Sequence, residues 1–428
     1  MKNIYMRKIA IIFAVAFTGL IFTGCDRTPG GEDDKMEQSH TLIMYLIGSN
    51  NGMQSDLSKN IDKVLAAVDT DFPVNGKIFI YFNRSSGNTL YEVKRPDKKG
   101  NPAELIQVST YDQSLASVSA ARIKEVVLDV KAAANTETYG FAMGTHGAGW
   151  FPPSYNIGYP TSVGSGSPGG IEHEFDWENS MTRHFGPDNG TYGSTEDLVG
   201  ALSGQDIQYM IFDMCFMSSV EFMYDLRNVT QYIVASPAEI MVAGMPYERM
   251  IPVLFSKAKN YGTQDRLIKI SDLFVKYYEA GEAYPKEYYP KWEDYKSAAI
   301  TVIRTSGLDG LASAVKNIFD AGAGNFDIAQ VQPLENMSNH AFFDLRDYLN
   351  NICENSTLLD NFDSALGNMI LFESHTPRIY SGLGVARPFE AARVCGISSY
   401  IPREQFPVAR LAYYNTAWGK FTQPGMGS

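Results

Sequence analysis

Two apolar runs in this chain each stop at a residue able to take part in nucleophilic chemistry. Tyr139–Gly140–Phe141–Ala142–Met143–Gly144–Thr145 stops at His146, and Tyr209–Met210–Ile211–Phe212 leads through Asp213–Met214 to Cys215. A thiolate is a strong nucleophile, and imidazole is the side chain best matched to moving a proton near neutral pH. Open α/β sheets gather such groups at the carboxyl ends of parallel strands. The pair therefore suggests a Cys215 nucleophile with a His146 base. The plainer readings are a small buried hydrophobe and a structurally satisfied histidine. Gly144, Gly147 and Gly149 clear space around His146. Gly147 would also let a backbone N–H approach a developing oxyanion. His173, His184 and His340 are competing bases, but none ends an apolar strand. A helix starting just after Cys215 would bring its positive end near the sulfur and lower its pKa.

Strand ends need a sheet to hold them. Thr41 to Ile47, Lys77 to Phe82 and Tyr232 to Ser236 are further continuous apolar runs, as buried parallel strands require. Helices are expected at Met53–Val68, Val118–Ala134, Thr195–Leu202 (capped by Ser194) and Ser218–Leu226. After Tyr247 the pattern turns more helical, at 265–280, 306–322, 340–352 and 360–372, with strands at Lys296–Arg304 and Gly396–Ile401. This alternation predicts an α/β fold, a mostly parallel central sheet with helices on both faces. Residues 151–170 are rich in Gly, Pro and Ser, and 171–192 are polar without periodicity, a long loop between His146 and Cys215. The Tyr-rich run Tyr284–Tyr295, with Pro285 and Pro290, reads as a boundary. The catalytic core is assigned to 41–260, and 261–428 to a C-terminal portion completing the sheet. There is no internal repeat.

Lys2, Arg7 and Lys8 precede an apolar run from Ile9 to Phe22 that is short for a membrane span. Thr23–Gly24–Cys25 follows, as at a bacterial lipoprotein processing site, although Phe22 stands where Leu is usual. Residues 1–24 then form a signal peptide, Cys25 is the lipidated residue, and 25–40 are a polar tether. An ordinary cleaved signal or a retained anchor are the alternatives. The expected location is the bacterial cell envelope, lipid-anchored, periplasmic or at the cell surface. The net charge of −12 becomes −15 once the three leader cations are removed, which argues against nucleic acid as a partner. Lipidation of Cys25 leaves three cysteines, so at least one thiol is free; Cys353 and Cys395 could pair or stay reduced. No His-Glu-x-x-His, Cys-x-x-Cys or EF-hand pattern suggests a metal.

Several blocks, in order over about 41–421, resemble the clostripain-like cysteine peptidases, relatives of caspases and gingipains. They are Leu42–Tyr45 with Asn50–Asn51; Gly144–Thr145–His146–Gly147; Phe212–Asp213–Met214–Cys215–Phe216–Met217 with Glu221; Ala235–Glu239 with Gly244–Tyr247; and Gly396–Pro402 with Trp418. The resemblance implies a caspase-like α/β/α sandwich and a Cys–His dyad. Cys215 would attack the scissile carbonyl, His146 would protonate the leaving amine, and the N–H groups of Gly147 and Cys215 would hold the oxyanion. Asp213, two residues before Cys215, shares its face of the strand. By resemblance it lines the pocket for the substrate residue before the scissile bond and favours Arg or Lys. The substrates implied are proteins or peptides with basic residues. The family also implies self-activation by cleavage between His146 and Cys215. Arg183, the one Lys or Arg in 151–192, is the candidate site. No cofactor is expected; calcium is possible by resemblance, with no ligands identified. A catalytically inactive relative that binds peptides or cell-surface material is the alternative.

Overall fold

The computed structural model describes residues 35–150, 185–259, 261–322 and 324–427. Arg183, Cys25, His173 and His184, and with them the leader and most of the long loop, lie outside the described residues.

The N-terminal half lays down β1 (His40–Ile47), α1 (Gln54–Ala67), β2 (Gly76–Arg84), β3 (Gly87–Lys94), β4 (Glu104–Tyr111), α2 (Ala120–Ala134) and β5 (Thr138–Gly144). A small hairpin, β6 (Phe185–Asp188) and β7 (Thr191–Gly193), precedes α3 (Thr195–Leu202), β8 (Ile207–Asp213), α4 (Val220–Asp225) and β9 (Thr230–Ala235). Next come α5 (Tyr247–Leu254), α6 (Thr263–Glu279), β10 (Ala299–Arg304), α7 (Leu308–Asp320), β11 (Phe343–Asp344), α8 (Leu345–Ile352), α9 (Ser356–Met369) and β12 (Ile370–His375). Two short strands, β13 (Arg378–Ser381) and β14 (Arg387–Glu390), pair with each other; β15 (Ser398–Ser399), α10 (Pro407–Asn415) and α11 (Ala417–Thr422) end the described chain.

Among the described residues nine strands form the central sheet, in the order β12-β10-β9-β8-β5-β1-β2-β3-β4. The middle five run parallel, and both edges are finished by antiparallel strands. All eight residues of β1 are buried, because a central strand of a sandwich has a helix layer on each face. One layer packs α1, α5 and α6 through Leu57, Ile61, Met250, Ile251, Ile270 and Phe274. The other packs α2, α3, α4 and the helices after β10, through Ile123, Val127, Leu198, Phe222, Leu311 and Trp418. The α/β class with a mostly parallel centre is as the alternation implied.

Three local expectations change. The run 360–372 is split: α9 stops at Met369, and the next residues become the edge strand β12. The polar stretch 171–192 ends in structure, since Phe185 is fully buried and the β6–β7 hairpin starts there. The expected strand Gly396–Ile401 shrinks to two residues paired with β11, outside the central sheet. Its backbone groups are taken elsewhere. The Gly396 carbonyl accepts from the hydroxyls of Ser218 and Thr301, both at 2.7 Å, and Tyr400 N–H donates to Glu221 at 2.8 Å.

Candidate active site

The last registered pair of the β5–β8 ladder is Gly144 with Asp213. Two residues past that pair lie His146 on one chain and Cys215 on the next. The parallel register therefore delivers both groups to the same edge, and both line one cavity of about 200 Å³.

The turn carrying Cys215 is tightly held. Phe216 sits at φ 62°, a left-handed conformation that costs a residue with a Cβ roughly 1–2 kcal/mol. Its surroundings over-determine it. Phe216 N–H donates to the Ala238 carbonyl at 2.9 Å, and its ring stacks on Phe342 at 4.0 Å with an 8° interplanar angle. Ser218 N–H donates to the Ser236 carbonyl at 2.9 Å, and Ser398 N–H to the Ser218 carbonyl at 3.0 Å. Buried Glu221 accepts from Ser399 Oγ and Tyr400 N–H, both at 2.8 Å. So the Gly396–Tyr400 segment braces the turn after Cys215 instead of extending the sheet. The helix expected to influence the sulfur begins only at Val220 and has six residues. Among the described residues the N–H of Ile240 donates to Cys215 Sγ at 3.3 Å, and its carbonyl lies 3.6 Å from the same sulfur.

His146 is oriented through its backbone surroundings. Its Nε2 lies 2.9 Å from the Asn51 carbonyl, which can only accept, so Nε2 carries the proton and Nδ1 the lone pair. Burial lowers the imidazole pKa below its usual value, partly offset by that hydrogen bond, and favours the neutral ring. The Asn51 side chain fixes this carbonyl: Nδ2 donates to the carbonyls of Ile47 and Pro187, each at 3.0 Å. Its Oδ1 accepts from Met53 N–H, also at 3.0 Å. The Pro187 contact ties the β6–β7 hairpin to the histidine's support, and Gly186 N–H donates to the His146 carbonyl at 3.1 Å. Gly147 packs directly on the nucleophile turn, where a Cβ would fall 2.6 Å from the Cys215 carbonyl oxygen.

Asp213 is buried at the cavity wall. Asn60 Nδ2, Met245 N–H and Tyr247 Oη all donate to its Oδ2, at 3.4, 3.3 and 3.1 Å. No described donor reaches Oδ1. Desolvation raises the Asp213 pKa; these hydrogen bonds and nearby Lys63 oppose it. Lys63 is turned toward the carbonyls of Ala243 and Met245, at 2.6 and 3.3 Å. Asp56 and Glu239 line the same cavity, which also has apolar walls from Leu57, Met241 and Val242. The Glu239 carboxylate is engaged by Ser381 and by the N–H groups of Gly382 and Leu383. An arrangement of this kind can take a cation with an aliphatic stem and present the adjoining carbonyl to a thiol.

Thus Asp213, Cys215, His146 and Gly147 meet at one place. His340 does not: its Nδ1 is 3.0 Å from buried Glu335. Cys353 and Cys395 are both free thiols. Among the described residues no group of three His, Cys, Asp or Glu side chains is placed to hold a metal ion. The sequence names Asn51 only within a motif block and assigns no role to it, to Ile240 or to Lys63; the first two act through main-chain atoms.

The sequence profile of the Clostripain family matches residues 173–380. A secreted C11 cysteine protease from Bacteroides thetaiotaomicron, "iotapain", superposes with a TM-score of 0.72 at 26% identity, covering 90% of this chain and 99% of its own. An inactive zymogen C11 protease from Parabacteroides distasonis gives 0.71 at 21% identity, over 90% and 98%. A secreted C11 protease from B. thetaiotaomicron, in complex with an irreversible peptide inhibitor, gives 0.71 at 22%, over 90% and 99%; these last two speak to the fold alone. No curated protein sequence matches the chain. On its ordered motifs, its sheet topology and these matches, the chain resembles the clostripain-like cysteine peptidases, in the family profile over residues 173–380 and in the fold over 90% of its length.

Proposed function

We propose that the protein is an exported cysteine endopeptidase that cleaves peptide bonds after Arg or Lys. The Cys215 sulfur attacks the scissile carbonyl carbon while its proton passes to Nδ1 of His146. The N–H groups of Gly147 and Cys215 hold the oxyanion. The imidazolium returns the proton to the leaving nitrogen as the C–N bond breaks, and the amine departs. Water then attacks the thioester, losing a proton to His146, and the thiol is regenerated with release of the carboxylic acid. The observation that carries the reading is the shared cavity, lined by Cys215, His146 and the Asp213 carboxylate, whose Oδ1 meets no donor among the described residues.

Labelling by an arginyl chloromethyl ketone, lost in Cys215→Ala, tests the nucleophile; absence of labelling in wild type favours the inactive peptide-binding relative. Assaying Asp213→Ala on peptides ending in Arg, Lys, Leu and Asp tests the pocket, and an unchanged basic preference would sink its role. Self-activation by cleavage after Arg183 is part of the proposal, supported by that residue's position as the one Lys or Arg in 151–192. Mass spectrometry of wild type beside Cys215→Ala reads it directly: a single intact chain in active wild type removes it. Export with a lipid on Cys25 is supported by the leader pattern and by the secreted relative. Metabolic labelling with a fatty-acid probe, abolished in Cys25→Ala, is its test.

A further inference from the structure

The cavity does not end at its basic pocket. Tyr380 lines it, and from Tyr380 a run of ring contacts leads outward: Tyr295 at 5.4 Å, then Tyr284 at 5.0 Å and Tyr289 at 6.4 Å from Tyr295. Tyr284 and Tyr289 meet edge to face at 4.9 Å. The hydroxyl of Tyr284 accepts from Ala243 N–H at 3.2 Å, which fixes the rings to the wall segment carrying Met241 and Val242. Val242 is 57% exposed and Tyr289 40% exposed, so the run ends in an open apolar shelf continuous with the cavity. Contiguous apolar surface beside a recessed site marks a place where something binds.

Sheet order says which part of a substrate reaches it. Cys215 follows β8, His146 follows the neighbour on one side, β5, and the Glu239–Val242 wall follows the neighbour on the other, β9. The leaving amine must face the histidine that protonates it. The acyl segment therefore runs toward the β9 side, where the shelf lies.

We infer that Tyr289, Tyr295 and Val242 form a second specificity site that takes an apolar or aromatic side chain upstream of the cleaved basic residue. The inference rests on the proposed endopeptidase activity and extends it to a two-part recognition sequence. Fluorogenic tetrapeptide amides ending in Arg, with Tyr, Leu, Ser or Glu scanned through the three preceding positions, supply the test. Wild type is expected to favour Tyr or Leu over Ser at one position by roughly two- to tenfold in kcat/KM. Tyr289→Ala brings that ratio close to one; Tyr289→Phe keeps it, and so does Tyr288→Ala, whose ring lies outside the run of contacts. A ratio near one in wild type at all three positions, or an unchanged ratio in Tyr289→Ala, overturns the inference. Replacing the terminal Arg by Leu reads the basic pocket separately, so failure there tells against the endopeptidase reading and failure upstream against the shelf.

Discussion

Gly147→Ala is the most direct probe of how the two strand ends cooperate. A Cβ at this position would lie 2.6 Å from the Cys215 carbonyl oxygen, 2.9 Å from Met217 Sδ and 3.0 Å from Met214 Cβ. The first contact is with backbone and cannot be relieved by a rotamer change. Ordinary non-bonded contact begins at about 3.5 Å, so the His146 loop and the Cys215 turn must separate by roughly 0.9 Å. The Cys215 turn is clamped from both sides, by Ala238 and Ser236 and by Ser398, so most of the shift falls on His146 and on the Gly147 N–H. Over-packing of this kind costs roughly 1–3 kcal/mol of stability. Misplacement by about 1 Å in a reacting constellation costs about a hundredfold in rate, or roughly 2.7 kcal/mol of transition-state stabilisation. The variant is therefore expected to fold, with Tm lowered by several degrees, and to hydrolyse an arginyl amide with kcat reduced about a hundredfold. Steady-state kinetics beside a thermal melt is the assay. A variant that folds and keeps kcat within threefold of wild type would refute the claim that close approach of these two strand ends positions the chemistry.

Asn51→Ala leaves the carbonyl that orients His146 but removes three side-chain bonds that hold it, at about 1 kcal/mol each; with about half of that expressed in the position of the imidazole, kcat should fall about tenfold with KM little changed. An equal change in both parameters would point to general loosening instead. Because burial lowers the His146 pKa, the acidic limb of kcat/KM should fall below pH 6.5. It should be recorded in Asp213→Asn with a neutral substrate, so that protonation of Asp213, whose pKa is raised, does not mask it. Asp344 is pushed up to about 6 by burial, so its stabilising contribution is present below about pH 4 and is lost as pH rises through 6. Melts of Asp344→Asn against wild type should favour the variant increasingly from pH 4 to 7; a pH-independent difference would contradict this. Gly396→Ala places a Cβ 2.4 Å from Thr301 Oγ1 at φ +85°, and should lower Tm and activity together.

What the sequence makes legible follows from burial. Strands enclosed on both faces are written as continuous apolar runs, so β1, β5 and β8 stand out, and their final residues announce the site. The edge is harder: β4 is largely exposed along its length, so Glu104–Tyr111 carries no run to read. Contributions made by main-chain atoms are equally silent. The carbonyl of Asn51 and the N–H of Ile240 would be the same groups in almost any residue, and only the fold brings them to His146 and Cys215. The tyrosines of 284–295, with their two prolines, read only as a boundary, because nothing in their spacing tells that Tyr284 is buried and bonded to the Ala243 N–H of the cavity wall.

The brace behind the nucleophile sets an order of events. Ser218 and Glu221 follow Cys215 closely, but their partners stand 178 or 179 positions further along. A polypeptide emerges amino-terminus first, so the early sheet strands are available long before Gly396 and Tyr400 exist. Until those residues arrive, a buried carboxylate and a left-handed turn lack the contacts that offset their cost. The nascent chain thus carries Cys215, His146 and Asp213 through that interval without the contacts that brace the turn after the cysteine. The turn after Cys215 is therefore completed only once residues as far as Tyr400 have emerged and docked behind it.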